Sequence, residues 1–150
     1  MKRPHIVLDT DVLVSALIFG GPAREILSMI VAGAVNCSLS PSILIELQDV
    51  LQRPKFGFSS QRAMAVVEDL SALCTMVNPL EQISVIGADP DDDRILECAL
   101  EARAGIIISG DAHLLDLGAY KGIRIMNPSE FLQMVRERTP IPKGRRGRKR

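Results

Sequence analysis

Asp89, Asp91, Asp92 and Asp93 put four carboxylates within five residues, and such groups repel one another unless a cation sits among them. A divalent metal ion is the natural counter-charge. The stretch also has the grammar of a helix start, with Asp89 as N-cap, Pro90 at the first helical position and an acidic first turn facing the positive end of the helix dipole. At about 100° per residue, Leu96 and Ala99 fall close to the direction of Asp92, flanked by Ile95 and Leu100. Asp92 therefore points inward at the head of an apolar stripe, where a carboxylate is costly unless paired or bound to a cation. Asp91 and Asp93 fall about a quarter turn to either side, within reach of solvent. Asp92 is the candidate site residue; Asp89, Asp91 and Asp93 are candidate capping or outer-shell groups.

Three more acids could join it. Asp9 ends the apolar run His5-Ile6-Val7-Leu8, and Asp111 follows Ile106-Ile107-Ile108-Ser109-Gly110. Glu46 lies about 60° from Ile43 on a helix opened by Ser40-Pro41, so it too can look inward. In an open parallel sheet, ligands bind beyond the carboxyl ends of the strands, where the strand order switches. If the strands ending at Asp9 and Asp111 are neighbours, both carboxylates enter one crevice, and the helices opened by Pro41 and Pro90 deliver Glu46 and Asp92 to its rim. Four hard oxygen donors with no nearby His or Cys select Mg²⁺ or Mn²⁺ over zinc. Two such ions roughly 3.5 to 4 Å apart can activate water and stabilise the leaving oxygen of a phosphodiester. The chemistry implied is phosphoester hydrolysis. Singly, each acid has an ordinary explanation: Asp9 as a helix cap, Glu46 as a solvated glutamate, Asp111 as a turn residue. Only their joint occurrence argues for a site.

The elements that must position them alternate in type. Strands are expected at 5–9, 34–39, 75–77, 106–109 and 123–126. Helices are expected after Thr10 or Asp11, over about 23–32, from Pro41 to Leu51, over 60–73, from Pro90 to near Ala104 with Gly105 as C-cap, through Leu114 and Leu115, and after Asn127-Pro128-Ser129-Glu130. Such alternation implies an α/β fold with a mostly parallel sheet covered by helices on both faces. A chain of 150 residues, 47% apolar and 24% charged, suits one domain with a proper core. With 3% aromatic residues and no Trp, a surface built on base stacking is not expected. Cys37, Cys74 and Cys98 are too dispersed for structural zinc or a disulfide framework, and His5 and His113 read as structural or surface groups. No stretch reaches the length of a membrane span and no secretory segment opens the chain, so a cytoplasmic protein is expected.

Four segments together resemble a PIN domain: Ile6 to Leu17 around Asp9-Thr10-Asp11, Ser42 to Leu47 around Glu46, Asp89 to Leu96, and Ser109-Gly110-Asp111. The nearest subgroup is the PIN-family toxins of prokaryotic type II toxin-antitoxin systems, and the match spans about residues 5–136. The resemblance implies a three-layer PIN-like fold over 1–138. It also implies a Mg²⁺- or Mn²⁺-dependent endoribonuclease, inhibited by a cognate antitoxin and often a homodimer. Carried over by position, Asp9, Glu46, Asp92 and Asp111 are the catalytic and metal-binding quartet, with Ser109 as a polar helper and Asp11, Asp89 and Asp93 as outer-shell candidates. The family commonly has Asn where Asp11 stands and Asn or another polar residue at Asp93, so this site would carry extra negative charge.

Two other functions fit parts of the sequence. Asp9-Thr10-Asp11 and Gly110-Asp111 with Asp116 resemble haloacid-dehalogenase-type phosphatases, with Asp9 as nucleophile and Asp11 as acid. That reading lacks an assignable Lys and leaves Glu46 and Asp92 without a role. A non-catalytic RNA- or protein-binding fold is the other, against which stands the carboxylate at every position of the quartet.

Residues 139–150 carry six basic residues and no acid, leaving 12 basic against 18 acidic residues in 1–138, a net charge of −6. The simplest expectation for this tail is a solvated, disordered segment; the sharper one is an arm that draws RNA to an acidic body. On the second reading, deleting 139–150 flattens the dependence of RNA affinity on salt, measured by titration at several ionic strengths. An unchanged slope removes the arm.

Overall fold

The computed structural model describes residues 3–85 and 89–138. The tail at 139–150, and Ala88 at the head of the acidic stretch, lie outside them. In chain order the elements are β1 (His5–Leu8), α1 (Thr10–Ile18), α2 (Gly21–Val31), β2 (Asn36–Leu39), α3 (Pro41–Leu51), α4 (Ser60–Leu73), β3 (Thr75–Met76), α5 (Pro90–Ala102), β4 (Ile106–Ile108), α6 (Ala112–Leu117), β5 (Ala119–Tyr120), β6 (Ile123–Met126) and α7 (Pro128–Arg138). Among the described residues no single helix is long and apolar enough to cross a membrane.

The strands form one sheet in the order β3-β2-β1-β4-β6-β5, parallel except for the β5–β6 pair. Consecutive residues of β1 and β4 are all buried from Ile6 to Leu8 and from Ile106 to Ile108, so both faces are covered, as a parallel sheet requires. Helix α5 lies on β1, β2 and β4, while α1 packs against α2 and α3 and α2 against α7. The strand order switches between β1 and β4. The chain leaves β1 for β2 on one side, and β4 closes on the other, with Leu8 opposite Ile108. The carboxyl ends of these two strands define the crevice.

Local chemistry explains most boundaries. Pro41, Pro90 and Pro128 stand at the first positions of α3, α5 and α7. Asn127 and Glu130 close a reciprocal capping box, each side chain accepting from the other's backbone N–H at 2.8 Å. The cap of α1 is Asp9 rather than Thr10 or Asp11, its carboxylate accepting from the Thr10 N–H at 2.7 Å. The end of α5 is also corrected. Arg103 adopts the left-handed conformation there, φ 56°, whereas Gly105 gives its N–H to the His5 carbonyl as the chain enters the sheet. Strand β5 was not expected; it forms because Lys121 and Gly122, both at positive φ, make a two-residue turn that folds Tyr120 back beside Ile123.

The main departure concerns Asp93, which is buried rather than open to solvent. It belongs to a second row on α5, spaced four residues apart: Asp93 accepts from the Val85 N–H (3.0 Å), Glu97 from the Ile83 N–H (2.7 Å) and Glu101 from the Leu80 N–H (3.2 Å). Arg94 donates to both Glu97 oxygens and to the Ile83 carbonyl. Segment 80–85 has no helix or strand of its own, and these side chains supply its backbone partners. Removing Glu97 strands the buried Ile83 amide, so Glu97→Ala is expected to cost about 1–3 kcal/mol in urea denaturation. The same change at exposed Glu101 should cost far less.

Candidate functional site

Beyond the carboxyl ends of β1 and β4 lies a cleft of about 400 Å³ whose lining includes Asp9, Asp11, Glu46, Asp89, Asp92 and Asp111. All four quartet positions thus line one cleft, together with two of the outer-shell candidates, but among the described residues only Asp92 and Asp111 of the four bring ligand atoms within 4.8 Å of one another in a three-residue group. Asp93 does not; it faces segment 80–85 from the next position on α5.

Among the described residues every cleft acid but Asp92 accepts a hydrogen bond that fixes it. The Asp9 N–H donates to the Ile108 carbonyl at 3.0 Å, which fixes the end of β1 to the end of β4. Its Oδ1 caps α1, and its Oδ2 accepts from the fully buried Ser109 hydroxyl at 2.7 Å. Ser109 Oγ in turn accepts the Asp111 N–H at 2.9 Å, so one hydroxyl ties together the two strand ends. Thr10 Oγ1 donates to Glu46 Oε1 at 2.8 Å and draws half-buried Glu46 from α3 toward β1. Asp11 Oδ2 accepts from the Gly110 N–H at 3.2 Å, and a Cβ at position 110 would stand 3.0 Å from that oxygen. Asp89 caps α5, and Asp111 caps α6 through the His113 N–H.

Asp92 is different. It is 5% exposed, and its Oδ2 has no hydrogen-bond partner among the described residues. A buried carboxylate oxygen without a donor is expensive, and here it faces the Asp111 carboxylate across the cleft. Burial and that neighbour push the Asp92 carboxyl up to about 7. Burial, with the Asp11 charge adding, pushes Asp9 up to about 7 as well, against the opposing Ser109 and Thr10 hydrogen bonds. Burial also raises Glu46 and Asp11. A crowded set of buried oxygens with an orphan among them suits a divalent cation, for which Asp9, Glu46, Asp92 and Asp111 are the available hard donors.

Two features escaped the sequence reading. His113 stands beside the acids, its Nδ1 3.6 Å from Asp111 Oδ1 and 3.8 Å from Asp92 Oδ2. Its position two residues after Asp111, in the first turn of a helix capped by that acid, was the available signal. The mouth of the cleft is also partly aromatic. Phe56 and Arg53 line it, and exposed Phe19 meets Phe56 edge-on at 6.3 Å. A low overall aromatic content did not prevent two rings from gathering there.

The family model for the PIN domain matches residues 5–113. No curated protein matches the chain. Among solved structures, the chain is similar to one chain of VapBC2 from Rickettsia felis bound to a DNA fragment from their promoter (TM-score 0.59, 12% identity, covering 82% of this chain and 98% of that one). It is also similar to chains of DNA-bound VapBC from Salmonella typhimurium (0.57, 18% identity, 83% and 98%) and of VapBC-1 from nontypeable Haemophilus influenzae (0.54, 16% identity, 83% and 98%). At these identities the likeness is one of fold.

The raised carboxyls fix the sign of a pH effect. Between the ordinary value of 3.8 and about 7, the folded chain holds protons at Asp9 and Asp92 that the unfolded chain has lost. Stability of the chelator-treated protein is therefore expected to fall as pH rises through that window. Thermal denaturation from pH 5 to 8 measures it, and Asp92→Asn should flatten the slope.

Proposed function

The chain belongs to the PIN domain family, and on that premise we propose that it is a Mg²⁺- or Mn²⁺-dependent endoribonuclease acting as the toxin of a toxin-antitoxin pair. The observation that carries this reading is the orphan Oδ2 of Asp92, buried in a cleft shared with Asp9, Glu46 and Asp111. We assign the nuclease domain to residues 1–138 and leave 139–150 as a basic extension to it.

Asp9, Glu46, Asp92 and Asp111 would hold the ion. When bound, it supplies an activated water and charge stabilisation at the leaving oxygen of the phosphodiester. The protein's own part is positional. Ser109 and the Thr10 N–H keep both Asp9 oxygens in place, and the Thr10 hydroxyl orients Glu46. Asp111 is fixed at the head of α6 by its cap bond. Arg53 at the mouth, in an exposed ion pair with Asp49, could exchange that partner for a flanking phosphate, and the Phe19–Phe56 pair offers rings for an unpaired base. The fold shared with VapBC chains supports an antitoxin partner, and a cytoplasmic setting and a homodimer are part of the same reading.

Purified protein is expected to cleave RNA with Mg²⁺ or Mn²⁺ and to stop when they are chelated. Asp92→Asn should lower the rate on the order of 10²–10⁴-fold while the variant stays folded by circular dichroism. Cleavage without metal, or full activity in the variant, would refute the assignment. Trapping of phospho-Asp9 would instead restore the phosphatase reading, and metal binding with no cleavage of any RNA tested would restore the non-catalytic one.

A further inference from the structure

We propose that His113 is a nitrogen ligand of the metal site at Asp92 and Asp111, making it a mixed oxygen–nitrogen centre that prefers first-row transition ions over Mg²⁺. This rests on the reading that the cleft holds a divalent cation and says which cation it is built for.

Three observations carry it. Asp92, Asp111 and His113 each offer a ligand atom, and those atoms lie within 4.8 Å of one another, the spread expected around a common ion. The imidazole Nδ1 faces both carboxylates but bonds neither, since 3.6 and 3.8 Å exceed hydrogen-bond length. Third, the oxygen it faces on Asp92 is the buried one left without a partner among the described residues. A space bounded by an orphan carboxylate oxygen, a second carboxylate and an imidazole nitrogen has the donors of a cation site. The backbone supports the geometry. Asp111 Oδ1 accepts the His113 N–H, so the ring and the carboxylate are carried on one turn.

Donor type then decides the ion. Mg²⁺ keeps its waters and takes oxygen ligands, so a histidine adds little to its binding. Imidazole suits the later ions, and affinity at a nitrogen-containing site rises from Mn²⁺ to Co²⁺ along the Irving–Williams order. A quartet of acids alone would discriminate in the same direction but less steeply.

The test uses the untagged 150-residue chain, stripped of metal, with Mg²⁺, Mn²⁺ and Co²⁺ as probes. Calorimetry gives the affinities, and the visible spectrum of bound Co²⁺ reports nitrogen ligation directly. The His113 side chain is 55% exposed, so its substitution should leave the fold intact. His113→Ala is expected to lose Co²⁺ affinity by roughly tenfold or more and Mn²⁺ affinity by less, with Mg²⁺ affinity changed under about twofold, and to shift the Co²⁺ spectrum. His113→Asp should keep Mg²⁺ binding and lose the Co²⁺ preference. Equal losses for all three ions, or an unaltered Co²⁺ spectrum, overturn the ligand assignment while leaving the nuclease reading standing. Failure of the wild-type chain to bind any of the three ions overturns both.

Discussion

Like charges converging on the carboxyl ends of β1 and β4 are the constraint to which the rest of the molecule answers. The fold offsets part of their repulsion without any cation. Asp9, Asp89 and Asp111 each cap the helix that follows, so their carboxylates receive backbone N–H groups and sit at the positive ends of α1, α5 and α6. Ser109 and Thr10 add a hydroxyl donor each to Asp9 and Glu46. Among the described residues Asp92 has no such donor at its inner oxygen, so the repulsion is least relieved there.

Helix α5 shows how one element serves two purposes through adjacent residues. Asp92 heads the stripe that continues through Leu96 and Ala99 against the sheet. One residue on, Asp93 begins the row that secures segment 80–85 through Glu97 and Glu101. The cleft acid is thus carried by a helix whose other side is anchored independently of it.

The site was legible in sequence because its parts obey local rules. Strand-end carboxylates, Pro at first helical positions and a helical stripe beneath Asp92 can all be read within ten residues or so. What could not be read depends on contacts between distant segments. The burial of Asp93 requires knowing that segment 80–85 returns to α5 with unsatisfied amides. The role of Arg103 as the end of α5 depends on Gly105 being claimed by His5 across the sheet. His113 looked like a surface group because its place two residues after Asp111 ties it to that acid but does not reveal that the start of α6 swings beside the start of α5. Phe19 and Phe56, remote in sequence, likewise meet only after α1 packs on α3.

The sheet terminates on either side in a strand of two residues, β3 and β5. Among the described residues an incoming strand would meet only a two-residue strand at either border, a poor template for lateral growth of the sheet. The helical exterior offers a companion polypeptide more to grip. Apolar side chains stand out there on α2, α3 and α4 and at the end of α1, among them Val31, Ile45, Met64 and Phe19. A blocker of the cleft would accordingly arrive as side chains reaching over its lip.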